Sequence, residues 1–329
     1  MTRPSVRRQM TLLAFLVPCA IYLFSLPAIY TGDDLQQAMQ VEQCVTGVPY
    51  YHPAGGRLYE PGLTRRADER LKAVPLNPRY LLELPTVVAA TRAWKRAGWD
   101  GNVILPIATF HAVAGALGCL FLFLSLMHLR GDATAALAGS LGLATAAGYW
   151  SYSTAVDQSI TMVMFLCLAF YVLVRQREGV SRGGLLILAV VLTAAALYNV
   201  TALLSVPAFG AAVALIGPRS SVWHRGRRFL ILSALSGTMT VLTVLLVIAV
   251  FRPPRVLDGA YWSDILFAGR PEYAVDPARD IVRAAVGLAK SQVTPPWVAG
   301  SLQEHWDSAG HAARAGLMGF FGAVLAVMS

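Results

Sequence analysis

Asp33 and Asp34 stand together where the first long apolar run of the chain ends, directly after Gly32. Two carboxylates at that place admit two roles. At the start of a short helix they complement the macrodipole and act as caps. As a reactive pair, one serves as general base toward an acceptor hydroxyl, while the other orients that acceptor or helps to hold a divalent cation. Leu35, Ala38 and Met39 are spaced to share one face of such a helix. Downstream, the segment from Val48 through Gly56 contains Pro49, Pro53, Gly55 and Gly56, which force a non-helical excursion crowded with aromatics. Tyr51 offers a ring face to a sugar or to the bilayer interface. Its neighbour His52 is either an assistant in proton transfer or a structural loop residue. A basic group follows much later. After Asp276 and Pro277, helical spacing puts Arg279, Arg283 and Lys290 within about 40° of one another, with Ile281, Ala285 and Leu288 roughly opposite. A basic stripe beside an apolar one grips a lipid-linked phosphate, or is drawn to anionic headgroups.

The elements that must carry these residues are apolar. Of 329 residues, 56% are hydrophobic and 14% charged, against roughly 25% charged in an ordinary soluble domain. With a mean hydropathy of +0.55, this excludes a soluble enzyme, a disordered chain and a nucleic-acid-binding domain. Four cysteines are too few for a disulfide framework. Cys19, Cys119 and Cys167 lie in apolar runs, and Cys44 lies in a polar loop. Neither a disulfide nor a cysteine metal site is expected.

Runs of about 20 apolar residues read as spans. The expected fold is an all-α polytopic bundle with eight spans, at about 10–30, 103–129, 133–151, 156–174, 184–199, 201–217, 229–251 and 313–329. The whole chain is read as one domain. The first span follows Arg3, Arg7 and Arg8 and reads as a signal anchor rather than a cleaved peptide. The stretch 133–174 divides into a hairpin because basic clusters flank both ends. Trp150, Ser151, Tyr152 and Asp157 supply its turn. The stretch 184–217 divides near Tyr198, Asn199 and Thr201. With the N-terminus inside, the cytoplasmic segments carry only two acids, Asp132 and Glu178, and the net charge of +9 falls on that side, as the positive-inside rule expects. The chain stops at Ser329 within an apolar run, which suggests a fragment lacking further spans.

Two outer loops, about 31–102 and 252–311, hold most of the polar chemistry. In the first, Asn77 and Pro78 suit an N-cap and first helical position. A helix over about 78–97 would place Leu84, Val87, Val88, Thr91 and Trp94 on one stripe, with a kink at Pro85, and lie on the membrane surface. Loop two carries a similar helix after Asp276. Within the spans, His111 reads as a packed, hydrogen-bonded residue. Gly139, Gly142 and Gly148 read as close helix contacts, since no strand precedes them to form a phosphate cradle. Asp157 is the charge nearest the apolar interior. Mid-membrane charges mark many ion pathways, so their scarcity argues against a transporter.

This order of elements resembles the GT-C superfamily of integral-membrane glycosyltransferases, which includes the protein O-mannosyltransferases and the aminoarabinose transferases of lipid A. The matching features are Asp33–Asp34, the helix through Glu42, Gly47–Val48–Pro49–Tyr50, His52–Pro53, Trp150–Ser151–Tyr152–Ser153 with Asp157, and Thr201–Pro207. The second acid is Asp, where the family also uses Glu. The resemblance covers nearly the whole chain and is carried by order more than by sequence. It implies a multi-pass protein of a bacterial-type inner membrane with a cytoplasmic N-terminus. Its donor would be a polyprenyl-phosphate sugar and its acceptor an extracytoplasmic hydroxyl on a lipid, glycan or protein, with inversion at the anomeric carbon and no nucleotide cofactor. Asp33 would be the base. Asp34 would position the acceptor or, with Asp33, bind a divalent metal ion. His52, Tyr51 and Asp157 would contact substrate, and Arg279, Arg283 or Lys290 would steady the departing phosphate. The alternatives are a polysaccharide polymerase or ligase using lipid-linked glycans, a non-enzymatic transporter or flippase, and a scaffold in which the two acids are only caps.

Overall fold

The computed structural model describes residues 4–26, 32–46, 81–156, 159–216 and 222–251. Their regular structure is entirely helical: α1 (Pro4–Phe24), α2 (Gly32–Thr46), α3 (Glu83–Arg96), α4 (Ile104–Arg130), α5 (Ala133–Thr145), α6 (Ala147–Thr154), α7 (Ser159–Arg175), α8 (Arg182–Tyr198), α9 (Val206–Leu215) and α10 (Val222–Phe251). A short 3-10 segment, Val200–Ser205, joins α8 to α9. The chain divides into two compact units, Met1–Ala144 with Tyr152–Arg270, and Thr145–Ser151 with Pro271–Ser329. Of the second unit, the described residues are the helical stretch around Ala147–Ser151.

Among the described residues, three helices are long and apolar enough to cross a membrane: Val6–Phe24, Ile104–Arg130 and Arg225–Leu246. A fourth crossing arises if Gly148–Thr154 and Ser159–Arg175 are one broken span. Ala133–Thr145, Arg182–Tyr198 and Val200–Leu215 are apolar but shorter. The first helix starts earlier than the expected 10–30 and ends at Phe24. The last expected span, 313–329, and the whole of loop two after Phe251 lie outside the described residues. Leu12, Leu16 and Phe24 on α1, and Leu230, Leu242 and Leu246 on α10, are all more than half exposed. Such surfaces suit lipid better than water.

Local chemistry sets several helix ends. Gly131 adopts φ 72° and donates its N–H to the Met127 carbonyl, ending α4. The Asp132 carboxylate accepts from Thr134 N–H at 2.9 Å to begin α5. Ser181 caps α8 through Gly184 N–H. The expected break near Tyr198–Thr201 is present: Asn199 is extended, and its side chain takes the Thr201 N–H at 3.0 Å. The expected turn at Trp150–Tyr152 is not. Those residues belong to α6, because no Gly or Pro falls among them to interrupt the helix. The chain leaves the helix at Ala155, whose carbonyl lies 3.1 Å from His111 Nδ1 of α4.

Within the first unit, α4 packs against α1 and α7, α7 against α8, and α10 against α8 and α9. Leu188, Leu192, Val213 and Leu232 lie in the shared core of the last three, with Ala169 and Leu173 of α7. The C-terminal ends of α4 and α7 meet. Arg177 donates to the His128 carbonyl at 2.6 Å, and the His128 and Tyr171 rings lie 5.5 Å apart. The two helices therefore run in the same direction, and the chain between them travels away and returns. This end is basic, with Arg130, Arg175 and Arg177. The opposite end gathers the start of α4, the Ala155–Val156 break and the end of α8, and it is there that α2 and α3 dock.

Candidate functional site

The site grows from α3. Leu84, Val87, Val88 and Thr91 are buried along one stripe, as the spacing predicts; Trp94 is half-buried. The helix begins at Glu83, five residues after the expected start, and Asn77 and Pro78 lie outside the described residues. That onset disposes of the expected kink. Pro85 falls in the first turn, where its missing N–H has no helical partner to lose. The apolar stripe of α3 is covered by protein. It joins Ala38, Val41 and Cys44 of α2 with Val103, Ile107 and Val156 in one buried cluster.

Polar ties hold α3 along its length. At its start, Leu82 N–H donates to the Leu197 carbonyl at 3.0 Å, and the Thr86 and Tyr198 hydroxyls lie 3.0 Å apart. Further along, the Arg92 guanidinium donates to the Cys44 carbonyl at 2.8 Å. That carbonyl is in the last turn of α2, so Arg92 serves as its missing C-terminal partner. Lys95 and Glu42 form a looser, exposed pair at 3.5 Å, of little energetic weight.

The central feature is a buried acid and imidazole. Glu83 Oε1 and His111 Nε2 are 2.6 Å apart, with side chains 1% and 0% exposed. His111 Nδ1 lies 3.1 Å from the Ala155 carbonyl. A carbonyl only accepts, so Nδ1 carries a hydrogen and donates it. A single further proton then sits between Nε2 and Oε1, and the pair is neutral overall whichever atom holds it. Glu83 Oε2 is buried without a hydrogen-bond partner among the described residues, as are Thr91 Oγ1 and Gln37 Nε2. His111 lies 17 positions before His128, about 26 Å along α4. The pair therefore stands nearly a hydrocarbon thickness (about 30 Å) from the basic end.

Asp33 and Asp34 occupy the first turn of α2, as expected of acids that follow the first apolar helix. Tyr51, His52, Asp157, Arg279, Arg283 and Lys290 lie outside the described residues. The reading of Cys44 as a polar-loop residue is corrected: it is buried on α2 within the apolar cluster. Burial pushes its thiol up to about 11, partly offset by the nearby Arg92 charge. Of the expected glycine contacts, the one at Gly139 is present: a Cβ there would lie 2.7 Å from the Leu126 side chain of α4. A Cβ on Gly142 would meet nothing within 4 Å, whereas one on Gly115, which the sequence pattern does not single out, would strike Ser153 and Tyr22. His111 is packed and hydrogen-bonded, as its place in an apolar run suggests. Glu83 is the residue that sequence reasoning missed, and its only signal was an acid beside Leu84 at the head of the buried stripe. No family model, curated protein or solved structure matches this chain.

Proposed function

We propose that the protein is an integral-membrane glycosyltransferase of GT-C type. It moves a sugar from a polyprenyl-phosphate donor to an acceptor hydroxyl outside the cytoplasm. The observation that carries the reading is the placement of Asp33 and Asp34. They begin a helix that follows the first candidate span and is clamped by α3 at the end of the bundle remote from the basic clusters. By the positive-inside rule, that end faces out. The eight-span count and the inner-membrane location belong to this proposal.

The chemistry is an in-line displacement. Asp33 takes the proton of the acceptor hydroxyl as its oxygen attacks the anomeric carbon. The bond from that carbon to the phosphate oxygen breaks, and configuration inverts. The phosphate leaves with both electrons, so it needs cationic stabilisation rather than an acid of its own. Arg279, Arg283 or Lys290 supplies that charge, and Asp34 orients the acceptor. Tyr51, His52 and Asp157 are assigned to substrate binding in this reading. Among the described residues, no three His, Cys, Asp or Glu side chains come together to hold one. A divalent ion at Asp33 and Asp34 is a separate question that EDTA answers.

The test uses membranes incubated with labelled polyprenyl-phosphate sugars. Asp33→Asn is expected to abolish label transfer while protein accumulates normally. Asp33→Ser keeps a small polar side chain in the first turn of α2 and is expected to be equally inactive; full activity in it returns the two acids to a structural role at the helix start. A polymerase or ligase would instead depend more on Arg283 than on Asp33. One observation favours a transporter as the second reading. Glu83 and His111 form a buried ionisable pair against a candidate span, a feature of proton and ion pathways. Uptake into vesicles without covalent transfer would select that reading.

A further inference from the structure

We infer that Glu83 and His111 are a positioning pair, which sets the attitude of α3 and through it the placement of the α2 helix that begins with Asp33 and Asp34. The inference rests on the glycosyltransferase reading for its consequence in turnover, but not for its structural content.

The mechanical chain is continuous. His111 is fixed on both sides of its ring, by the Ala155 carbonyl and by Glu83. Glu83 is the first residue of α3, so the pair pins the helix at its origin. Among the described residues, the other hydrogen bonds that tie that origin to another helix are one from the Leu82 backbone to Leu197 and one between the Thr86 and Tyr198 hydroxyls. Beyond it, α3 holds α2 through Arg92 and the apolar cluster of Ala38, Val41 and Cys44. Removing the carboxylate leaves the buried His111 Nε2 without its partner, whichever atom carried the shared proton, so the site must draw in water or rearrange. Either response loosens the origin of α3, and α2 shifts with it. A displacement of about 1 Å at a reacting group costs on the order of 100-fold in rate.

The arrangement also separates positioning from proton transfer. Glu83→Gln keeps a side chain of the same length, whose amide donates to a neutral Nε2. It restores the tie and removes the acid. A positioning role therefore survives Glu83→Gln and fails in Glu83→Ala, whereas a proton-transfer role fails in both.

The reporter is Cys44, buried beneath α3. Full-length protein in native membranes is treated with a membrane-impermeant maleimide. Modification of Cys44 is followed by peptide mass spectrometry, with Cys44→Ser as the blank. Glu83→Ala is expected to raise the Cys44 labelling rate by about 10-fold through local opening. It should lower kcat for sugar transfer by about 10-fold or more, with KM for the donor changed by less than about 3-fold. Glu83→Gln should stay within about 3-fold of the parent in both measurements, since it keeps a hydrogen bond. If Glu83→Ala does not accumulate, Glu83→Asp replaces it. It withdraws the carboxylate by one methylene and is expected to raise labelling by about 3-fold. Unchanged labelling in Glu83→Ala, or in Glu83→Asp where that replaces it, overturns the inference. So does a Glu83→Gln protein as impaired as Glu83→Ala. Should the parent transfer no sugar, the glycosyltransferase reading fails while the labelling result still decides the positioning role.

Discussion

Gly115 makes a sharp test of how α1, α4 and α6 meet. A Cβ added there would lie 2.8 Å from Ser153 Cβ and 3.1 Å from Tyr22 Cε2, and would also collide with Ser153 Oγ. The hydroxyl can rotate away, but Ser153 Cβ moves only with the α6 backbone. Ser153 and Tyr22 are both fully buried, so neither has open space to retreat into. Restoring ordinary contact needs a shift of roughly 1 Å, and overpacking of this kind costs about 1–3 kcal/mol. Replacing a helical Gly by Ala returns up to about 1 kcal/mol of propensity. Gly142→Ala gains the same propensity with nothing within 4 Å of the new carbon. The difference between the two variants therefore isolates the steric cost, and Gly115→Ala should be the less stable by about 1–3 kcal/mol. Unfolding of the detergent-solubilised protein, followed by tryptophan fluorescence against a denaturing detergent, measures it. Ser153→Ala removes the hydroxyl collision together with the hydrogen bond between Ser153 and Tyr22, so the double variant is compared with Ser153→Ala alone, against which Gly115→Ala should cost less than it does in the parent. Equal stability of Gly115→Ala and Gly142→Ala would refute the packing argument.

Other consequences follow from α2 and α3. Arg92→Ala leaves the Cys44 carbonyl without its 2.8 Å donor and should cost about 1–2 kcal/mol in the same unfolding assay. Lys95→Ala, which removes the exposed pair with Glu42, should cost less than about 0.5 kcal/mol. The Cys44 thiol titrates near 11 in the fold against an ordinary value of 9.0, so the fold prefers the protonated form. Its contribution is complete below pH 9 and disappears as pH rises to about 11. A shift of that size is worth on the order of 2–3 kcal/mol. Between pH 8 and pH 11 the parent should lose more stability than Cys44→Ala does, and an identical loss would contradict the burial argument.

Some of this architecture is legible in the residues alone. The α4 span emerges almost to the residue, because an unbroken apolar run ends in His128, Arg130 and Gly131. The buried stripe of α3 follows from the spacing of Leu84, Val87, Val88 and Thr91. The break at Asn199 follows from a capping side chain placed between two apolar runs. Elsewhere local rules give way to tertiary contacts. Trp150, Ser151 and Tyr152 look like an interfacial turn, yet the helix runs through them and stops where His111 captures the Ala155 carbonyl. Cys44 looks solvent-facing from its polar neighbours, but it is covered by a helix about 40 residues later in the chain. Gly142 and Gly115 cannot be ranked without knowing which faces meet. Glu83 is the hardest case, since its partner is 28 positions away on another helix. An acid at a helix start reads as a cap unless that contact is known.

The same contact bears on what loop one is. A carboxylate 1% exposed is tolerable only when a partner stabilises it. The partner here sits on a candidate span, so the loop-one helix cannot lift away without stranding either an acid or an imidazole. Breaking such a pair from one side leaves a buried polar group unsatisfied, at about 1–3 kcal/mol, a sizeable share of the total stability of a typical domain. An interfacial helix held only by lipid would have no reason to bury Glu83 at its head. A docked helix does, because the pair fixes where α3 begins and α3 in turn holds α2. Two acids on α2 are thereby carried by a preorganised element rather than a floating loop, which is what a base aimed at a bound hydroxyl requires. A pair of caps requires no such rigidity, so comparison of Asp33→Ser with Asp33→Asn bears directly on why the loop is docked at all.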